Sequence, residues 1–298
     1  MSTVIFGARG FVGSSLGPEL DLAFKPNKSV CDLTNLDSVL TYLDGTKPEA
    51  IVNMAARVGG FQYNKINNVE LLRNNSLIAL NLATAIKKLR LSCYYVYVSS
   101  ACVYKDGNSQ EDSVFLDNPN NNNFGYGHSK RLGHKVIDAL NIDCPDLIKS
   151  CILIPTNMYG PHDHFDPFVS HVIPNLIRQM VSKEDTIKVL GNPNNGRDFM
   201  YSGDLCNAIS ECLRKKIEGT YNVSTFLTVT IKTLVETLVE ITGYEGVVEM
   251  EEPDESKEAE VRILNNTKIV EALNLSGDAF TDLKAGLKQT VEWYKSGN

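Results

Sequence analysis

Apolar residues fall along this chain in two alternating patterns: strand-length runs, and longer stretches in which they recur every three or four positions. Residues 4–6, 49–54, 94–98 and 147–154 are runs of the first kind and predict strands. The third, Tyr94-Tyr95-Val96-Tyr97-Val98, is the richest in β-forming side chains. Residues 69–88 predict a long helix, with Leu72, Leu77, Leu80 and Ala83 spaced as a buried face. A second strand is expected over 21–24 and another over 220–224, with a helix over 204–215 before it. The polar, proline-containing run 118–123 reads as a loop. Strands alternating with helices place the chain in the α/β class.

Composition narrows the class further. The chain has 298 residues, 43% of them hydrophobic, enough for one large domain or two modest ones without disulfide or metal staples. A net charge of -7 and a pI near 5.3 give no general attraction for nucleic acid or an anionic membrane, so an anionic ligand needs a local cluster of cations. The seven cysteines are odd in number and form no C-x-x-C pair, so neither a disulfide framework nor a metal site is expected. No apolar run approaches the ~18 residues of a membrane span. These features, with no charged leader ahead of the first strand, point to the cytoplasm and to no membrane partner.

Candidate chemistry begins where the first strand ends. Gly7-Ala8-Arg9-Gly10-Phe11-Val12-Gly13 has the spacing G-x-x-G-x-x-G and is expected to open a helix, where close backbone and unpaired N–H groups suit a pyrophosphate. After the expected second strand come Lys25 and Lys28 and no acid. An Asp or Glu there would bind the ribose 2′-hydroxyl of NAD, whereas cations suit the 2′-phosphate of NADP, with Arg9 as a further cation. NADP(H) is therefore the expected cofactor. Tyr126 and Lys130 stand at i and i+4 on one helical face, where an ammonium beside the phenol is expected to lower its pKa from about 10. The strand at 94–98 delivers Ser99, Ser100, Ala101 and Cys102 to the sheet's carboxyl edge. If it stays extended, Ser100 and Cys102 face the same side.

The order of these elements resembles the extended short-chain dehydrogenase/reductase family, and the resemblance runs nearly from end to end. It is carried by the glycine loop, Ala55-Ala56-Arg57-Val58-Gly59-Gly60, the Ser99–Tyr104 segment, Y-x-x-x-K, and the stretch from Pro155 to Phe165. Ser170-His171-Val172-Ile173-Pro174, Gly196-Arg197-Asp198-Phe199-Met200-Tyr201 and the last helix near 285–294 complete it. The fold it implies is a doubly wound parallel sheet, a Rossmann nucleotide domain over 1–160 with a segment returning near 203–225, and a smaller α/β substrate domain over 161–298. The activity it implies is an NADPH-dependent 3,5-epimerase/4-reductase acting on a nucleotide-linked 4-keto-6-deoxyhexose, GDP-linked in the first reading. The implied catalytic set is Ser100, Cys102, Tyr126, Lys130 and His171. The implied cofactor contacts add Asp32 and Leu33 near adenine, Ala55 and Ala56, and Asn157 and Met158 toward the pyrophosphate and nicotinamide. The implied substrate contacts are Val58, Ser100, Asn157, His171, Arg178 and Arg197, and a homodimer is implied through the 69–88 helix and the helix bearing Tyr126.

The chain departs from the family over 252–262. Only the Pro253-Asp254 pair and one flanking cation remain of a segment that lies against the nucleotide in relatives, and Val261 holds its arginine position. That leaves guanine against uracil open, and with it a reductase/epimerase of a UDP- or other NDP-sugar. An NAD-dependent nucleotide-sugar 4-epimerase shares the fold but gives no use to Cys102 with His171. A non-enzymatic NADP-binding scaffold is disfavoured by the complete Ser-Tyr-Lys set.

Overall fold

The computed structural model describes residues 1–105, 108–119, 123–251 and 260–297. The chain begins with β1 (Thr3–Phe6), α1 (Leu36–Thr46), β2 (Ala50–Asn53), α2 (Phe61–Ile66), α3 (Asn68–Leu89), β3 (Cys93–Val98) and β4 (Asn108–Ser109). It continues through α4 (Phe124–Asp143), β5 (Ile148–Pro155), β6 (Asn157–Tyr159), α5 (Val172–Val181), β7 (Thr186–Val189), β8 (Gly196–Arg197) and β9 (Phe199–Tyr201). Last come α6 (Ser202–Lys215), β10 (Gly219–Val223), β11 (Val229–Thr230), α7 (Ile231–Thr242), β12 (Val247–Met250), β13 (Val261–Leu264), α8 (Thr267–Leu273) and α9 (Leu283–Lys295).

The central sheet is parallel, in the order β1-β2-β3-β5-β10. Parallel neighbours need crossovers, and these put helices on both faces. Alternate side chains of β3 show the result. Tyr95 and Tyr97 join a core with α1, α3 and α4, while Tyr94, Val96 and Val98 join a second core with α6 and α8. Every residue of β3 is buried, which is why its sequence reads as one apolar run. The sheet is thus doubly wound, as the sequence predicts. A third core lies apart from both, built by α5, α7 and α9 with β7 and Phe199.

Three local expectations are corrected. No α-helix follows the glycine loop; a four-residue 3-10 helix, Val12–Ser15, stands there, and Gly17-Pro18 ends the segment before a second turn can form. The expected strand at 21–24 shrinks to one bridge, in which Phe24 pairs with Val4 on the edge of β1 away from β2. The reason is that 3-10 turns run on through Asp21 and Ala23, leaving Leu22 fully exposed at 99%. In α3 the helix is where expected but its buried face is rotated. Leu71, Ile78, Leu82 and Ile86 pack inward, Leu72 and Leu77 are half-buried, and Leu80 is exposed. The helix carries two apolar stripes, and only one of them meets the sheet.

Candidate active site

The carboxyl ends of β1, β2 and β3 converge, and small residues let them do so. At Gly7 the backbone has φ +85°, and a Cβ would lie 2.7 Å from the Ala55 nitrogen, so β1 and β2 close together only with glycine there. Gly10 donates its N–H to the Gly7 carbonyl at 3.0 Å and is exposed with Arg9, leaving a rim of bare backbone. That rim suits a pyrophosphate, although the helix expected to help is reduced to the short 3-10 turn. Beyond β2, two buried asparagines set the loop. Asn75 of α3 accepts the Arg57 N–H at 2.7 Å and donates to the Arg57 carbonyl at 2.9 Å, and Asn64 accepts the Gly59 N–H at 3.1 Å.

Past β3 the chain does not stay extended. Ser100 caps a 3-10 turn, Ala101–Val103, its hydroxyl accepting the Cys102 N–H at 3.2 Å. This turn, rather than strand alternation, brings Ser100 and Cys102 to one place. Helix α4 is pressed onto the turn at Gly127, where a Cβ would lie 2.5 Å from the Cys102 carbonyl oxygen. Two cations on the helix hold the carbonyls at either end of the turn. Lys130 Nζ donates to Val98 at 2.8 Å, and Arg131 Nε donates to Val103 at 2.7 Å. Tyr126, on the same helix, is buried, with the Ser100 hydroxyl hydrogen-bonded to its phenol and the Cys102 thiol near enough to act on it electrostatically.

Burial governs the electrostatics here. It pushes the Tyr126 phenol above its ordinary value, the charge of a Cys102 thiolate adds to this, and the Ser100 hydrogen bond only partly offsets both. The lowering expected from Lys130 does not appear. The ammonium sits 5.7 Å from the phenol ring centroid, is committed to the Val98 carbonyl, and is itself pulled down to about 8 by burial. Burial also raises the Cys102 thiol, with the Ser100 hydrogen bond and the charges of Arg262 and Lys130 working against it. Both groups are therefore protonated at neutral pH. That suits a phenol that gives a proton and means the thiol must lose one to act as a base.

The remaining expected residues divide between those near this cluster and those engaged elsewhere. His171 is the N-cap of α5 and exposed, and the loop before it docks on the β2 loop through the Gly60 N–H to Val169 carbonyl bond at 2.7 Å. Surrounding protein lowers the pKa of its imidazole, with His164 adding to the effect. Val58 is exposed on the facing loop. Asn157 and Met158 lie in β6, and the Asn157 amide donates to the Asp198 carbonyl at 3.0 Å. Arg178 is not brought to the cluster. It stands about 10 Å along the α5 axis from His171 and pairs with Glu184 at 2.8 Å and Asn175 at 3.2 Å.

Arg197 pairs with Glu260 at 2.9 Å. On the nucleotide side Lys25 faces Asp21 at 3.5 Å and Lys28 faces Asp32 at 3.8 Å, so each expected phosphate ligand has an acid four residues away. The Asp32 carboxylate also accepts from Thr34, which holds its pKa low, and the Leu33 carbonyl accepts from Asn81. Of the divergent segment, 252–259 lie outside the described residues, while Glu260, Val261 and Arg262 are described.

Residues 3–224 match the model of the NAD dependent epimerase/dehydratase family. The chain belongs to this family. Among curated members of known sequence it is 30% identical to a probable GDP-L-fucose synthase of Drosophila melanogaster, over 98% of this chain and 96% of that one. It is 28% identical to a GDP-L-colitose synthase of Yersinia pseudotuberculosis, over 99% and 98%. A solved GDP-L-fucose synthetase from Naegleria fowleri, with NADP bound, superposes with a TM-score of 0.85 at 19% identity, covering 99% of this chain and 93% of that one. At that identity the structure speaks to the fold alone.

Several residues of this family member had gone unnoticed in its sequence. Arg131, Asn64 and Asn75 shape the site from the helices, and polar residues breaking the apolar face of a helix were the available signal for the asparagines. His134 of α4 is buried, its Nε2 lying 2.7 Å from the Ser99 hydroxyl, and burial with three nearby cations pulls its imidazole down to about 3. It is a neutral brace on the residue before Ser100. Glu260 and Arg262 carried no signal, because their significance depends on β13 lying beside β8.

Proposed function

We propose that the protein is an NADPH-dependent 3,5-epimerase/4-reductase of a nucleotide-linked 4-keto-6-deoxyhexose, with the activity named for its GDP-L-fucose synthase relatives as the first candidate. The observation that carries this is the meeting of Ser100, Cys102 and Tyr126 at the junction of one turn and one helix. A plain 4-epimerase would use the tyrosine and serine but would leave the half-exposed thiol without work.

When bound, NADPH supplies the hydride that reduces C4. The bare glycine rim, Ala55, Ala56 and the Lys25/Lys28 loop would hold it, and Lys130 would hold its ribose. The chain's own groups manage protons. Ser100 donates to the ketone oxygen, and Tyr126, kept protonated by burial, passes its proton to that oxygen as it becomes an alkoxide. Cys102 removes a proton from carbon alpha to the ketone, leaving an enolate, and His171 returns one on the opposite face. The ketone makes each of C3 and C5 acidic in turn, so one acid/base pair serves both.

The same reading divides the chain into a nucleotide unit, 1–160 with 203–225 returning, and a substrate unit, 161–298, in keeping with the separate core of α5, α7 and α9. It includes a homodimer through α3 and α4, for which the outward stripe of Leu80 and Leu132 supplies apolar surface, and a place in the cytoplasm. No helix among the described residues is long and apolar enough to cross a membrane. The direct test is incubation with NADPH and GDP- or UDP-linked 4-keto-6-deoxyhexose, with the product identified by NMR. A product inverted at C3 and C5 and reduced at C4 is expected; NADPH consumption without inversion reduces the reading to a keto-sugar reductase.

A further inference from the structure

Arg262 of β13 lies in register beside Arg197 of β8, on adjacent parallel strands. Side chains in register leave a sheet on the same face, about 4.8 Å apart, and here a single carboxylate reaches both. Glu260 accepts from Arg197 Nη2 at 2.9 Å through one oxygen and from Arg262 Nε through the other. The backbone holds the carboxylate in place. Glu260 N–H donates to the Asn195 side chain at 2.8 Å, and the Glu260 carbonyl accepts from Gly196 N–H at 2.9 Å and Arg197 Nη1 at 3.0 Å.

Partial burial works against the charge on Glu260, yet the hydrogen bond from Arg262 and the charges of both arginines keep its pKa below the usual carboxylate value. The three side chains are 19%, 36% and 36% exposed, so a ligand can reach them. Arg262 also acts electrostatically on the Cys102 thiol, which sets the group beside the site rather than behind it.

Two guanidiniums at this spacing match two adjoining phosphoryl groups, each able to take paired N–H bonds. We propose that Arg197 and Arg262 form a fork for the diphosphate of the nucleotide sugar, and that Glu260 is a built-in competitor that the diphosphate must displace. This rests on the nucleotide-sugar reading above. A single carboxylate neutralises half of the pair's charge, so a diphosphate can outbid it where a small monovalent anion cannot. The device sets affinity and selects for the diphosphate group, and it lies at the edge of the segment where this chain departs from its relatives.

Calorimetric titration of GDP and of UDP into the NADPH-loaded protein tests this, with NADPH affinity read by fluorescence as the control for folding. Glu260→Gln is expected to bind the preferred nucleotide about fivefold more tightly than wild type, and Arg262→Gln about tenfold more weakly, with Arg262→Lys between Arg262→Gln and wild type. Glu260→Asp, which keeps the charge but shortens the reach, should show part of the gain and guards against misfolding of the first variant. If wild type binds a nucleotide and neither Glu260 variant binds it more tightly, the triad is only a brace between β8 and β13 and the inference falls alone. If neither nucleotide binds wild type or Glu260→Gln, the nucleotide-sugar reading falls with it.

Discussion

Gly127 and the carbonyl of Cys102 are in such close approach that a single methyl group between them would lie 2.5 Å from the oxygen. The contact is with backbone, which cannot rotate away. Gly127→Ala gains about 1 kcal/mol of helix propensity and loses about 1–3 kcal/mol to overpacking, and it moves the Cys102 turn away from Tyr126. Turnover should fall at least tenfold while NADPH affinity stays close to wild type. Undiminished turnover would mean that the helix and turn are not held as tightly as the structure shows.

Tyr126→Phe removes only the proton donor. Reduction of the keto-sugar should drop by about 10²–10⁴ with little change in NADPH binding, measured by stopped-flow absorbance and by fluorescence titration. Lys130→Met should differ, because the ammonium also holds the Val98 carbonyl at the end of β3. Both NADPH affinity and thermal stability are expected to fall. A Tyr126→Phe enzyme with most of its wild-type kcat would remove the tyrosine from the centre of the mechanism.

Cys102→Ser separates the two half-reactions. A hydroxyl is a far weaker base than a thiol, so inversion should stop while slow direct reduction continues and yields the uninverted sugar. In deuterated water the wild type should carry deuterium at each inverted carbon and Cys102→Ser little or none. The same product with the same label at near wild-type rate would show the thiol to be structural.

NADPH should be preferred to NADH by about ten- to a hundredfold in kcat/KM, the worth of a charge-assisted phosphate contact. Each lysine has an acid partner in the loop, Lys25 with Asp21 and Lys28 with Asp32. Asp21→Asn should therefore sharpen the preference, and Lys25→Met combined with Lys28→Met should abolish it. Equal efficiencies for the two cofactors in wild type would contradict the assignment.

Asp163 is buried beside the cleft, with one oxygen accepting the His164 N–H at 2.7 Å and the other without a partner among the described residues. Burial pushes its carboxyl up to about 7. Between about pH 4 and pH 7 the folded protein keeps this proton while the unfolded chain has released it, so stability falls as pH rises through that window. Asp163→Asn removes the cost. Its melting temperature should exceed that of wild type at pH 8, by the equivalent of roughly 1–3 kcal/mol, and the two should converge near pH 4. Parallel melting curves at all pH values would show that the carboxylate is solvated.

How much of this was legible beforehand follows from the range of each interaction. Runs such as 94–98 and 147–154 announce strands because both their faces are buried, and the helix at 69–88 and the pairing of Tyr126 with Lys130 follow from the pitch of a single helix. These are relations among residues within a few turns of one another, and the order of residues in the chain determines them. Partnership and desolvation arise between segments far apart. Only the assembled fold turns the Leu71 stripe of α3 inward and leaves Leu80 outside, and only there does Lys130 meet Val98. The same assembly takes Arg178 to Glu184 and pairs Arg197 with Glu260. The Tyr126 pKa shows the difference most plainly. The neighbouring lysine argued for a lowered value, but the protein packed around the phenol removes the water that would stabilise its charge, and that loss outweighs a cation already committed to a carbonyl.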